Sequence, residues 1–210
     1  MSKSGNKITI YNFKGGIGKS TIAENLALSQ GCGIVANDVY SMVGSILDED
    51  DVLILERDEE IPEGVAEPEL SVVFDFGGYA DPRIQFALEI SDYVIIPTKV
   101  ESQKERMALV QTIQEVLPFN ENILIVANMV KGEGTSEIAI IETDLKANFP
   151  DRTFPILPLK SSTAFKRLEK MKIPISAMGG KGDRLLAAAY RPVVKQFEAI
   201  TNHVIKGSNS

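Results

Sequence analysis

The stretch "YNFKGGIGKST", residues 11–21, decides the fold of this chain. An apolar run enters it and a helical pattern follows it. A glycine-rich turn between a strand and a helix points backbone N–H groups and the helix N-terminus at one anion. Gly18, Lys19 and Ser20 fit the end of the pattern G-x-x-x-x-G-K-[ST], in which the lysine contacts phosphates and the serine binds Mg²⁺. The stretch therefore predicts a nucleotide site.

The loop departs from that pattern at its start. Phe13 occupies the position of the first glycine, and an additional lysine, Lys14, stands beside it. Two adjacent glycines follow, and glycine lets the backbone approach a phosphate closely. We predict that seven loop residues bind the nucleotide: Gly15, Gly16, Ile17, Gly18, Lys19, Ser20 and Thr21.

Outside the loop, short apolar runs alternate with helical patterns. The clearest helix covers residues 102–117, and another starts near Ser136. Strands that look buried on both sides and alternate with helices favour an α/β fold, a mostly parallel twisted sheet with helices on both faces. Ligands of such sheets bind at the carboxyl ends of the strands. The predicted strands are KITIYNF, GIVAND, LSVVFDF, DYVIIPT, NILIVANMV and TFPILPL.

Length and composition favour one domain. The chain has 210 residues, 44% of them hydrophobic and 24% charged, which suits a single globular domain over residues 1–210 with a disordered tail at 206–210. No run approaches the roughly 18 apolar residues of a membrane span. Cys32 is the only cysteine, which agrees with a reducing compartment. We therefore expect a cytosolic protein.

The charges are unevenly distributed. The net charge is -7, acids dominate between Asp38 and Glu105, and bases dominate from Lys160 onward. Residues 47–70, an acidic stretch with two prolines, interrupt the alternation of strands and helices and hold only VLIL as a possible short strand. We interpret this stretch as a solvated excursion from the domain.

The loop KGGIGKST resembles the deviant loop of the ParA/MinD family of P-loop ATPases. In that family a lysine just before the paired glycines reaches the phosphates of the ATP held by the partner in a nucleotide sandwich dimer. The resemblance implies that Lys14 plays this role and that Lys19 acts within its own subunit. A second cation is chemically reasonable, because phosphoryl transfer concentrates charge that a cation stabilises.

Other motifs extend the resemblance along nearly the whole chain. LSVVFDFGGYAD is similar to the family's second acidic motif, which implies that Asp75 binds Mg²⁺ through water near Ser20. VANMV is similar to the strand whose asparagine reads adenine, which implies a base contact for Asn128. LPLKSSTAFKRLEKMKIPI resembles the segment that lies over the adenine, and we assign Pro158 to it. The implied cofactors are ATP and Mg²⁺.

One departure lies near the chemistry. The family's second strand usually ends in D-x-D-P-Q, whereas this chain has ANDVY. Ala36 replaces the first aspartate, Val39 and Tyr40 replace the proline and glutamine, and only Asp38 is retained. The resemblance implies that the residue at the retained position helps to position the attacking water. We therefore expect Mg²⁺-dependent ATP hydrolysis with Asp38 as a catalytic residue, slow and stimulated by a partner.

Composition narrows the choice within the family. The nitrogenase iron protein and the cluster carriers need more than one cysteine per chain to hold a cluster between two subunits. Membrane-bound members carry a C-terminal amphipathic helix, but we assign the stripe Val193, Phe197, Ile200 and Val204 to the core. A small plasmid partition ATPase remains. This assignment implies a homodimer in the ATP state, whose partners are non-specific DNA and a centromere-binding or other adaptor protein. It also implies association with the nucleoid and not with a membrane. The DNA-binding candidates are Lys160, Lys166, Arg167, Lys170 and Lys172.

Two alternatives stay open. A conjugation or cargo-positioning ATPase of the same family would use the same nucleotide cycle with another partner. A small-molecule P-loop ligase or kinase would share the loop but needs a substrate pocket. Only residues 47–70 offer room for one, and they contain no histidine or aromatic cluster.

Overall fold

Seven parallel strands form one sheet in the part of the chain that the structure, a computed structural model, describes: residues 5–38, 47–77, 81–179 and 184–207. The strand order is β3-β2-β4-β1-β5-β6-β7. Each of the six sequence-predicted strands is present, which confirms the α/β prediction. The strands are β1 (Lys7–Ile10), β2 (Gly33–Ala36), β3 (Val52–Ile54), β4 (Val72–Asp75), β5 (Tyr93–Thr98), β6 (Ile123–Val130) and β7 (Ile156–Lys160).

Helices connect the strands. Short 3-10 turns cover Glu49–Asp51, Glu63–Ala66 and Ile175–Gly179. The predicted helix at 102–117 begins with a capping box, in which Ser102 and Glu105 each accept the other's backbone N–H. The α-helices are α1 (Lys19–Gln30), α2 (Arg83–Ile90), α3 (Gln103–Val116), α4 (Thr135–Asn148), α5 (Ala164–Met171) and α6 (Arg184–Gly207).

The helices cover both faces of the sheet, as predicted. On one face α1 and α6 pack their apolar side chains against the strands, with Leu26 and Phe197 fully buried. On the other face α2, α3 and α4 do the same, with Leu88 and Ile113 fully buried. A parallel sheet needs this covering because both of its faces are apolar.

The apolar stripe of α6 lies in the core, which confirms its assignment. Val193, Phe197, Ile200 and Val204 are all at most 1% exposed and pack against the sheet through the same cluster as α1. A membrane therefore has no access to this stripe in the folded chain. Within the described residues, no helix is long and apolar enough to cross a bilayer.

The acidic stretch 47–70 is more than a solvated excursion, which corrects our interpretation. VLIL does form a strand: β3 pairs in parallel with β2 at the sheet edge, with Ile34 opposite Val52. Leu55 and Val65 are buried in the core while the acids between them face solvent. The apolar residues are few, but they are spaced so that they cover the outer side of β2 and β4.

The strand order places the phosphate-loop candidate at the centre of the sheet. β1 lies between β4 and β5, so the loop that follows Ile10 leaves from the middle of the carboxyl edge. The ends of β2 and β4 lie on one side of it, and the ends of β5, β6 and β7 lie on the other. The chain thus brings its predicted site residues to one edge, where parallel sheets bind ligands.

Candidate nucleotide site

Two glycines shape the loop between β1 and α1. Gly16 and Gly18 have positive φ, 71° and 87°, a region that L-residues with a Cβ avoid. Gly18 is also crowded, because a Cβ there would lie 2.5 Å from Nδ2 of Asn128. Gly15 has no such neighbour within 4 Å, so its side of the loop is open. The loop is therefore tightly packed at its base and open at its tip.

Asn12 ties the loop to the sheet. Its side chain is buried, Nδ2 donates to the Pro97 carbonyl at the end of β5 (2.9 Å), and Oδ1 accepts the backbone N–H of Lys14 (2.8 Å). Sequence reasoning missed this role. The available signal was a carboxamide directly after an apolar strand, where a buried polar group needs partners.

Lys19 is buried at the first residue of α1. Its Nζ donates to the Lys14 carbonyl at 3.1 Å, so the loop wraps around the ammonium group. Burial lowers the pKa of Lys19, and the carboxylates of Asp75 and Asp38 oppose that shift. An ammonium group desolvated in this way gains most from an anion placed at the loop.

Ser20 and Asp75 meet beside Lys19, as predicted for a metal site. Asp75 ends β4, is 4% exposed, and is hydrogen-bonded by the Ser20 side chain. Burial raises the pKa of Asp75 and Asp38 adds to this, whereas Ser20 and Lys19 oppose it. A hydroxyl and a carboxylate are oxygen ligands of the kind that Mg²⁺ takes alongside phosphate oxygens. The residues present therefore fit the predicted ion.

Asp38 lies just beyond β2 and is exposed to solvent. It is close enough to Lys19 and Asp75 for its charge to act on the pKa of each. The structure therefore brings the three predicted polar residues together. Val39 and Tyr40, the two departures from the family pattern, lie outside the described residues.

Lys14 has the opposite environment from Lys19. Its backbone N–H is held by Asn12, but the residue as a whole is exposed at the loop tip, next to the exposed Gly15 and Gly16. One loop thus presents one lysine inward and one outward. An outward lysine is what the predicted contact with a partner subunit requires.

A cavity of about 220 Å³ lies beside the loop at the ends of β6 and β7. It is the candidate base pocket, and its position next to Gly18 and Thr21 fits a nucleotide whose phosphates occupy the loop. Its walls come from the loop, from α1 and from the segment after β7. The lining residues are Gly18, Thr21, Ile22, Asn128, Met129, Leu159, Lys160, Ser161, Ser162, Phe165 and Lys166.

Asn128 has a structural contact that sequence reasoning did not foresee. Nδ2 donates to the Ile17 carbonyl at 2.6 Å and Oδ1 accepts the Met129 N–H at 2.8 Å. Met129 has a positive φ of 58°, so the chain turns sharply here. The carboxamide clamps the phosphate loop to β6, and its predicted reading of adenine stays a prediction.

The remaining predicted residues are divided between different surfaces. Pro158 does not line the base cavity but a separate cavity of about 240 Å³ beside α6. Lys160 and Lys166 line the candidate base cavity. Arg167 and Lys172 are exposed and do not line the base cavity, and the side chain of Lys170 lies outside the described residues.

Comparison with known proteins finds likeness in structure only. No protein-family profile matches the sequence, and no curated protein matches it. The ATP complex of a Cyanothece McdA variant has a TM-score of 0.61 at 15% identity, covering 97% of both chains. The MinC:MinD cell division complex of Aquifex aeolicus gives 0.62 at 14% identity, covering 94% of this chain and 96% of the other. ParA of pNOB8 bound to nonspecific DNA has a TM-score of 0.61 at 14% identity, and the match covers 98% of this chain and 99% of the other.

These neighbours are ATPases of the ParA/MinD family, and they match this chain over nearly its full length. At this level of identity the likeness establishes the fold, which is that of the MinD and ParA P-loop proteins. The activity therefore has to be inferred from the residues of the candidate site.

Proposed function

We propose that the chain is a Mg²⁺-dependent ATPase that dimerises around ATP. The observation that carries this proposal is the pair of lysines in one loop, Lys19 buried and Lys14 exposed. A loop that only bound nucleotide within one subunit would need Lys19 alone. The exposure of Lys14 supports a contact with phosphates held by a second copy.

In the proposed reaction each residue has a separate task. Lys19 and the loop N–H groups hold the β and γ phosphates, and Asp38 orients the attacking water. Lys14 of the partner subunit stabilises the charge that develops during transfer. Ser20 and Asp75 would hold Mg²⁺, which would help to neutralise the negative charge of the phosphates.

The test of the ATPase proposal compares two lysine variants. Light scattering of the wild type should give a monomer with ADP and a dimer with ATP and Mg²⁺. Lys19→Ala should abolish ATP binding, because it removes the buried cation of the loop. Lys14→Ala should retain ATP binding but lose the dimer or lower turnover roughly 10³-fold, as for an arginine finger. Normal ATP hydrolysis by Lys14→Ala would contradict the proposed contact of Lys14 with the ATP of the partner subunit.

We further propose that the ATP dimer binds DNA without sequence preference and, with an adaptor such as a centromere-binding protein, segregates or positions plasmid DNA on the nucleoid. The exposed Arg167 and Lys172 support this, since phosphate contacts depend on local cations and not on net charge. The DNA-bound state of the pNOB8 neighbour also supports it. Two protomers would present the residues bivalently, so weak contacts would combine.

The conjugation or cargo-positioning alternative uses the same site and differs in its partner. Partition predicts a small DNA-binding protein encoded beside this one, whereas conjugation predicts a relaxase or secretion component. Absence of DNA binding by the ATP dimer at low salt would favour the alternative.

A further inference from the structure

A buried polar network joins the two chain segments that leave β2 and β4. Asn37 and Asp81 are 3% and 8% exposed, and Nδ2 of Asn37 donates to Oδ2 of Asp81 at 2.7 Å. The Oδ1 atom of Asn37 accepts the backbone N–H of Gly77 at 2.6 Å. Both ends of one carboxamide are thus engaged with a segment more than 35 residues away along the chain.

Arg83 fixes the carboxylate of Asp81. Its Nε and Nη2 donate to Oδ1 and Oδ2 at 2.9 and 2.8 Å, and its backbone N–H donates to Oδ1 at 2.9 Å. Its Nη1 donates to the carbonyls of Glu56 and Glu59 at 2.7 and 2.6 Å. The guanidinium therefore has partners on both sides, and such bidentate pairs are strong and directional.

The carboxylate in turn sets the orientation of Asn37. Burial alone would raise the pKa of Asp81, but its hydrogen bonds with Arg83 and Asn37 outweigh burial and lower that pKa, so Asp81 stays ionised. An ionised carboxylate only accepts hydrogen bonds. The NH₂ group of Asn37 must then face Asp81, and its oxygen must face the N–H of Gly77.

The positions of these contacts connect the network to the candidate site. Asn37 directly precedes Asp38, and Gly77 follows Asp75 by two residues. The carboxylates of Asp38 and Asp75 both oppose the lowering of the Lys19 pKa by burial in the phosphate loop. A bond between Asn37 and Gly77 therefore fixes the backbone of the two acidic residues relative to each other.

We propose that Asn37 and Asp81 are positioning residues for ATP hydrolysis, acting through Asp38 and the backbone of Gly77, with Arg83 as their anchor. This inference rests on the proposed ATPase function. Asn37 and Asp81 lie within the stretches ANDVY and LSVVFDFGGYAD, at positions to which the sequence analysis gave no role. A displacement on the order of 1 Å in a catalytic group can lower a rate by about 10²-fold, so such positioning is a measurable effect.

The test exchanges the two polar groups in the full-length protein. Asn37→Asp sets two carboxylates against each other, and Asp81→Asn removes the acceptor-only group. The double exchange, Asn37→Asp with Asp81→Asn, restores an amide facing a carboxylate at unchanged net charge. Its amide still donates between the two positions, and position 37 still accepts from Gly77.

We expect each single variant to lower kcat roughly 10- to 100-fold while the dissociation constant for ATP changes by less than about threefold. The double exchange should recover part of the lost kcat. It restores the contact between positions 37 and 81, but Arg83 loses the acceptor that Nη2 has in Oδ2 of Asp81. Arg83→Lys, which keeps the charge but removes the bidentate contact, should also lower kcat. Assays run below the unfolding temperature of every variant, so loss of stability alone moves none of these values.

The matched control is Asp144→Asn. Asp144 accepts a bidentate contact from Arg106 between α3 and α4, so the same substitution breaks the same kind of pair elsewhere. It should leave kcat unchanged. Wild-type kcat in Asp81→Asn, or a double exchange with a kcat no higher than that of the single variants, would overturn the inference.

A second readout needs no hydrolysis. Amide hydrogen exchange at Gly77 should be faster in both single variants and slow toward the wild-type rate in the double exchange. If the wild type hydrolyses no ATP, the ATPase proposal fails, and unchanged exchange at Gly77 would independently overturn the network. Exchange rates at Gly77 that follow the predicted order would support the network whether or not the wild type hydrolyses ATP.

Discussion

At the scale of single residues, the loop shows how far the motif alone could predict the site. The pattern identified Lys19 and Ser20, and the resemblance added Asp75, and the three meet in the structure. The roles of Asn12 and Asn128 as clamps were missed, because their partners lie 85 and 111 residues away along the chain. Local spacing reports a motif, whereas side-chain clamps depend on the tertiary neighbours.

Gly18 carries the first residue-scale prediction. Gly18→Ala should lower the free energy of unfolding by at least about 1–2 kcal/mol, because alanine is strained at a φ of 87° and its Cβ meets Asn128. Gly15→Ala is the matched control, since Gly15 lies outside the positive-φ region with open space around it. Urea unfolding without nucleotide measures both. Equal losses in the two variants would contradict the proposed crowding.

At the scale of secondary structure elements, the sequence predicted types well and their packing less well. Apolar runs flanked by turn residues indicated the strands, and the stripe of α6 indicated a core helix. The stretch 47–70 was harder because its acids dominate the composition. Its contribution to the core comes from isolated residues such as Leu55, and only the fold shows which surface they cover.

The edge strand β3 gives the element-scale prediction. Leu55→Ala should destabilise the protein by about 2–5 kcal/mol, because Leu55 is 2% exposed and its truncation leaves a cavity. Leu53→Ala should cost well under half as much, because Leu53 is 36% exposed on the same stretch. Chemical denaturation of the two variants checks this. If Leu55→Ala were as stable as the wild type, residues 47–70 would not contribute to the core, and the interpretation as a solvated excursion would stand.

At the scale of the whole molecule, the basic residues predicted to bind DNA divide into those that line the candidate base cavity and those that do not. Lys160 and Lys166 line the base cavity, whereas Arg167 and Lys172 are exposed away from it. The sequence analysis placed these four, together with Lys170, in one DNA-binding set, because the sequence does not show which surface each side chain occupies. The structure therefore changes which substitutions test DNA binding without disturbing the nucleotide.

The whole-molecule prediction concerns that division. With ATP present, Arg167→Glu combined with Lys172→Glu should weaken binding to all DNA sequences alike, roughly tenfold or more, and reduce the salt dependence by about one unit of slope per lost contact. ATP turnover should stay unchanged. Lys166→Glu should disturb both DNA binding and nucleotide affinity. Lys146→Glu, an exposed change on the opposite face of the sheet, is the control.

Fluorescence anisotropy with two unrelated DNA duplexes at several salt concentrations measures these effects. Tight binding without nucleotide, or a loss confined to one duplex, would contradict non-specific binding by the ATP dimer. An effect of Lys146→Glu as large as that of the double variant would show that general charge, not this surface, governs the affinity.

The central position of β1 has a consequence for how the protein is made. Strand β1 leaves the ribosome before either of the two strands that pair with it, with Lys7 opposite Val72 and Ile8 opposite Tyr93. Roughly 65 residues separate β1 from its nearer partner, so at about 5–20 residues per second β1 waits on the order of 3–13 s for β4. During that interval an apolar strand is exposed on the nascent chain. Because both partners of β1 come later in the sequence, we expect chaperone contact to protect the nascent strand until β4 is available.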